Sequence, residues 1–282
     1  MKSILLPTDF SMNSVNAINY ALALFKDVSC DFYLLNVQKA SSFISDDMMV
    51  MASSATIYQT IIDVSKKSIA NLITKIETKY KNDKHTFHSV VDYDNFIDSI
   101  NQLTLNKQID LIVMGTKGAT GLEKVVFGSN TVHVMQRCVA PVLAIPDGCL
   151  FTNLNRVAFT TNYLTLHNIE ELRPLKELVT LYDSKLNILH FDDIEGVSDQ
   201  RKENKKFLKT YFSDVTYENI DSFSTDLYKT LEEYVHANDI KLIAMMRKKH
   251  TFLERLFNRH PEETLAFNID IPFLVMENTL VI

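Results

Sequence analysis

The strongest constraint in this 282-residue chain is an order of elements that runs through it twice. In the first half, short apolar runs at residues 3–6, 32–37, 86–91, 111–114 and 142–145 alternate with helix-length amphipathic segments at 14–26, 56–81, 96–106 and 131–137. Apolar, often β-branched runs of this length suit strands buried on both faces. Strands separated by single helices run parallel with right-handed crossovers, which predicts a doubly wound α/β sheet with helices on both faces. After a polar stretch at 147–155 the programme restarts, with strands expected at 157–160, 186–191, 215–220, 242–245 and 273–276. Without any gap, residues 109–114 overlay 240–245, and the same offset of 131 sets Pro141 on Pro272 and Leu143 on Leu274. A register shared over that length marks a tandem duplication. Two domains are therefore expected, at residues 1–147 and 154–282, each near the usual ~100–150 residues.

Composition narrows the class. A chain that is 46% hydrophobic and 23% charged is ordinary globular material. A net charge of −6 and a pI near 5.8 supply no broad basic field, so nucleic acid is not an expected partner. The apolar start is stopped by Pro7 and Asp9 before a secretory core is complete, and no run approaches the ~18–20 apolar residues of a membrane span. No membrane partner is expected. Cys30, Cys138 and Cys149 form no CxxC pair and leave one odd, which suits reduced thiols and a cytoplasmic location.

Glycine is distributed unevenly. The chain has six, and Gly115, Gly118, Gly121 and Gly128 all fall between Met114 and Asn130. In an open α/β sheet, ligands sit beyond the carboxyl ends of the strands where strand order reverses, and Met114–Gly115 ends the fourth strand. A missing Cβ at Gly115 and Gly118 permits positive φ and close approach of a ligand to the backbone. Ser129, Asn130 and Thr131 are good N-cap residues for the next helix, whose free amides and dipole favour phosphate. Ser129 and Thr131 carry hydroxyl donors as well, and Lys117 and Lys124 are either phosphate partners or solvated loop lysines. The opposite wall is expected from Pro7, Thr8 and Asp9 at the end of the first strand. Asp9 has two readings: acceptor for a ribose hydroxyl or base amine, or N-cap of the following helix, with Ser11. His85 and His88, three apart on an expected strand, point to opposite faces and make no metal pair.

The pattern Gly115-x2-Gly118-x9-Gly128-Ser129 resembles the G-2x-G-9x-G(S/T) nucleotide signature of the universal stress protein family, and Pro7-Thr8-Asp9 resembles that family's opening motif. The resemblance implies flavodoxin-like domains, also called adenine nucleotide alpha hydrolase-like, with five-stranded parallel sheets of order 3-2-1-4-5. Carried over by position, it implies that Pro7, Thr8, Asp9, Val37, Met114 and Gly115 flank adenine and ribose. Gly118, Gly128, Ser129 and Asn130 would hold the phosphates, Asn130 through its backbone alone where the family carries an apolar residue.

The second half lacks the signature. At the offset of 131, Gly115, Gly118, Gly128 and Ser129 become Met246, Lys249, Arg259 and His260, and Asp9 corresponds to Asn162. The basic run Arg247-Lys248-Lys249-His250, followed by Arg255, Arg259 and His260, is a different anion site, a solvated loop or an electrostatic contact with the acidic remainder of a partner. The methionine-rich stretch at 44–55 is either a loop with a helix start or an adaptable contact surface.

The resemblance thus implies a universal stress protein whose first domain binds ATP, or AMP or ADP, as a regulatory signal in stress response, any Mg²⁺ being held mainly by phosphates and water. Catalysis is not expected, because no residue stands out as base or arginine finger for phosphoryl transfer. The alternatives are an interaction scaffold in which nucleotide is structural or absent, and a slow ATP-hydrolysing enzyme. The last strand of each half is expected at a sheet edge, and in the family such edges pair antiparallel between domains. Pairing within the chain hides both edges and leaves a homodimer possible.

Overall fold

In a computed structural model of the chain, the described residues are 1–38, 54–116, 127–161, 163, 168–191, 199–212, 214–220, 227–247 and 270–277. The first half runs β1 (Lys2–Pro7), α1 (Met12–Leu24), β2 (Cys30–Val37), α2 (Ser54–Tyr80), β3 (His85–Asp92), α3 (Phe96–Lys107), β4 (Leu111–Gly115), α4 (Ser129–Arg137) and β5 (Val142–Ile145). The second runs β6 (Arg156–Thr161), α5 (Ile169–Leu181), β7 (Lys185–Phe191), α6 (Asp199–Tyr211), β8 (Val215–Ile220), α7 (Leu227–Ala237), β9 (Leu242–Arg247) and β10 (Phe273–Glu277). Side-chain oxygens set the helix starts: Ser11 caps α1, Asn95 caps α3, and Asn168 with Glu171 forms a capping box on α5.

All ten strands join one sheet, in the order β3-β2-β1-β4-β5-β10-β9-β6-β7-β8. Each half keeps the predicted 3-2-1-4-5 arrangement in its own count, and its strands pair in parallel. The halves meet where β5 and β10 run antiparallel, with Phe273 opposite Ala144, Leu274 opposite Leu143 and Val275 opposite Val142. Leu143 and Leu274 are counterparts in the duplication, so this pair lies on the local two-fold that relates the halves. The predicted edge pairing is thus made within the chain, and neither β5 nor β10 is left as an open edge.

Successive strand residues serve opposite faces, which is why their runs are apolar throughout. Ile4 and Leu6 enter one core with Ile18 of α1, Ile69 of α2, Leu175 of α5 and Leu208 of α6. Leu5, between them, enters the other with Ile100 of α3, Val134 of α4 and Leu231 of α7. Both cores run without interruption from one half into the other. Among the described residues no helix is long and apolar enough to cross a membrane.

Candidate functional site

The turn that leaves β1 is locked by its own side chains. Thr8 is buried, and its Oγ1 accepts from the Phe10 amide at 3.0 Å, holding Phe10 at φ 64°. Left-handed backbone is unfavourable for an aromatic residue, so this hydroxyl stabilises the turn where glycine would otherwise serve. The Thr8 amide donates to the Leu35 carbonyl at 2.8 Å, and Asn36 Nδ2 donates to the Thr8 carbonyl at 2.7 Å. Asn36 Oδ1 in turn accepts from Gln38 Nε2 at 2.5 Å. Of the two readings of Asp9, the structure supplies a variant of the second: Ser11 is the N-cap, accepting from the Ser14 amide, and Asp9 braces it. Asp9 Oδ1 accepts from the Ser11 amide at 3.0 Å and from Ser11 Oγ at 2.6 Å. Partial burial works against ionisation of Asp9, but the hydrogen bonds from Ser11, aided by Ser14, outweigh it and hold the carboxyl below its usual value. The carboxylate is therefore ionised at the mouth of a cleft, where it remains open to a ligand.

The other wall comes from β4 and α4. Gly115 has no positive φ; it is glycine because α1 packs onto it, a Cβ there standing 2.7 Å from Asn13 Oδ1 and 2.8 Å from Asn13 Cγ. The expectation of a strained turn at Gly115 is corrected accordingly. Gly128, rather than Ser129, is the N-cap of α4, without a side-chain cap bond, and its φ of −60° and ψ of 150° are open to any residue. Thr131 Oγ1 donates to the Gly115 carbonyl at 2.9 Å and is 3% exposed, so its proton ties α4 to β4 and does not serve a phosphate. The first amides of α4 have no partner within the helix.

Between these walls lies a cleft of about 130 Å³. Of the predicted residues, Pro7, Thr8, Asp9, Val37, Met114, Gly115 and Asn130 line it. Gly128 and Ser129 directly precede Asn130 as the N-cap and first residue of α4. Gly118, Gly121, Lys117, Lys124 and residues 44–53 of the methionine-rich stretch lie outside the described residues. Sequence reasoning omitted Ser14, Asn36 and Phe96 from the lining, and placed Thr131 there only as a phosphate donor. Asn36 carried a signal, a polar side chain inside an apolar strand; Phe96 resembled any core residue opening a helix. A larger cavity of about 380 Å³ lies beside Lys2, Phe25, Leu111 and Leu178, at the amino edge of the first half's strands. Size does not select the site: ligands of open α/β sheets bind at the carboxyl edge, and there the smaller cleft opens.

The second half repeats the β1 turn. Tyr163 sits at φ 54°, its amide donates to Thr161 Oγ1 at 3.0 Å, and His190 takes the place of Asn36, its Nδ1 3.2 Å from the Thr161 carbonyl. At the position of Gly115, Met246 puts a side chain 4% exposed into the core. Arg247 is not part of a solvated basic loop: it donates to the Cys138 carbonyl at 2.5 Å, more weakly to the Met135 carbonyl at 3.4 Å, and pairs with Glu277. Asn162, Lys248, Lys249, His250, Arg255, Arg259 and His260 lie outside the described residues.

The model of the universal stress protein family matches residues 1–146. A universal stress protein of Methanocaldococcus jannaschii is 27% identical over 144 residues, 51% of this chain and 81% of that protein. The crystal structure of a universal stress protein from Archaeoglobus fulgidus matches 98% of this chain and 96% of its own, with a TM-score of 0.69 at 15% identity. The cytoplasmic domain of a prokaryotic cation chloride cotransporter matches 98% of this chain and 95% of its own, with a TM-score of 0.53 at 8% identity. At such identities the two structures speak to the fold alone. The family model covers more than half of the chain, and its matched segment contains both the turn after β1 and the glycine-rich approach to α4: this chain belongs to the universal stress protein family.

Proposed function

We propose that the first half binds one adenine nucleotide, ATP or the related ADP or AMP, and that occupancy is the regulatory signal in a stress response. The observation that carries this is the cleft at the carboxyl ends of β1 and β4, walled by Asp9 and Asn36 and closed by the amino end of α4. Its volume of about 130 Å³ is below the ~300–1,000 Å³ that takes a whole drug-sized ligand. It therefore suits part of the nucleotide, about the size of the base, with the phosphates lying outward along the first turn of α4, where free amides and the helix dipole favour anions. Gly128, the N-cap of α4, adds no side chain beside those amides. A bound Mg²⁺ would be held by phosphates and water.

Binding rather than turnover is the role proposed. Asp9 is the one ionisable side chain among the described lining residues, and its lowered pKa makes it a weak general base. A cytoplasmic setting is proposed with it, since Cys30, Cys138 and Cys149 are all free thiols. The test is mass spectrometry of ligand released from freshly purified protein, with calorimetry on the stripped protein. One adenine nucleotide per chain is expected, lost in Gly128→Val while the fold is retained. No heat from ATP, ADP or AMP at millimolar concentration would refute the proposal.

A further inference from the structure

The helix that carries the phosphate end of the cleft belongs to the first half, yet the second half holds it at both ends. At its carboxyl end, α4 leaves carbonyls without intrahelical donors. Asn101 of α3 takes the Arg137 carbonyl at 3.3 Å, and the Cys138 amide takes Val134 at 3.0 Å. The Met135 and Cys138 carbonyls go to Arg247, the last residue of β9 in the other half, 109 positions from Cys138. Its side chain is 19% exposed, and the guanidinium is held in turn by Glu277, its register neighbour on β10. In the duplicated register Arg247 and Glu277 stand where the first half has Thr116 and Pro146, so the pair is particular to the second copy. At the amino end, Phe127 immediately precedes Gly128 and packs edge-on against Phe273 of β10, ring centres 5.2 Å apart. Two contacts from one half therefore bracket a helix of nine residues in the other.

We infer, resting on the nucleotide reading above, that the second half clamps α4 of the first, and that Arg247 is a positioning residue for the nucleotide cleft although it touches no part of it. A nine-residue helix moves as a rigid body, so a carboxyl end released from Arg247 displaces Asn130 and Thr131 at the other. The expected consequence is weaker nucleotide binding in Arg247→Met, with the Kd for ATP raised about tenfold, and a partial return in Arg247→Lys, which keeps one donor able to reach a carbonyl.

The test uses the full chain and two readouts. In nucleotide-free protein, amide exchange is followed at Gly128, which donates to the Thr116 carbonyl at 2.6 Å, and at Val132, which donates to the Gly128 carbonyl at 3.0 Å. Both are expected to exchange faster in Arg247→Met. A purely local role predicts acceleration confined to Cys138 and Val139, and that result overturns the inference. Calorimetry with ATP then compares Arg247→Met with Tyr182→Phe, which removes a different contact between the halves, the bond from the Tyr182 hydroxyl to the Leu24 carbonyl. Loss of affinity in the first and not the second supports the clamp, whereas equal loss per unit of lost stability overturns it. Wild-type protein that takes up no ATP refutes the nucleotide reading by itself, and the exchange experiment still decides whether Arg247 holds α4.

Discussion

Gly115→Ala isolates the packing of α1 on β4. The added Cβ would stand 2.7 Å from Asn13 Oδ1 and 2.8 Å from Asn13 Cγ, closer than such contacts tolerate, in a strand residue that is itself fully buried. Asn13 is buried on the first turn of α1, so room for the methyl comes only from moving its packed side chain or the helix that carries it. Overpacking of one methyl in a tight core costs ~1–3 kcal/mol. At ~2–4 °C per kcal/mol for chains of 150–250 residues, this lowers the melting temperature by roughly 2–12 °C. Urea denaturation of nucleotide-free protein measures the loss, and the m-value should be unchanged because the fold is. Asn13→Ala removes the obstructing amide, so the double variant should be more stable than the sum of the single losses by about 1 kcal/mol or more. A Gly115→Ala protein as stable as wild type, or a double variant with purely additive losses, would refute the packing account and return Gly115 to a role in ligand approach alone.

Other expectations follow from the same contacts. Thr131→Val leaves the buried Gly115 carbonyl without its 2.9 Å donor and should cost ~1–3 kcal/mol in urea denaturation. The folded-state pKa of Asp9 is lowered, so its contribution to stability is complete above the usual aspartate value and is lost as pH falls through the folded value. Urea midpoints of wild type and Asp9→Asn should therefore stay apart above the usual aspartate value and converge as pH falls below it. Burial pushes the thiol of Cys138 up to about 12, against the opposing pull of Arg247, and that of Cys30 up to about 11. Both should react with a disulfide reagent at neutral pH only as fast as the chain opens, and at once in denaturant.

Much of the architecture was legible because it is written in local patterns. Alternation of apolar runs with amphipathic helices set the element order, and the offset of 131 exposed the duplication and made Leu143 and Leu274 counterparts, which the structure then places opposite each other. The site was legible in part, since Pro7, Thr8, Asp9, Val37, Met114, Gly115 and Asn130 do converge on one cleft. What misled was the meaning of single residues. Gly115 reads as a turn glycine until Asn13 is found above it, and Arg247 reads as one of a solvated basic run until it is found on the carbonyls of α4. Asn36 was passed over because its partner, the Thr8 carbonyl, is 28 positions away.

By itself the sequence determined two βα halves, the order of elements along each and the glycine-rich approach to α4, because periodicity and backbone preference act over a few neighbouring residues. Only the tertiary structure decided which residues face each other where the halves join and that the second reaches across to a helix of the first. Such contacts join residues more than a hundred positions apart, and which groups meet there depends on how the two halves pack, not on any pattern within either.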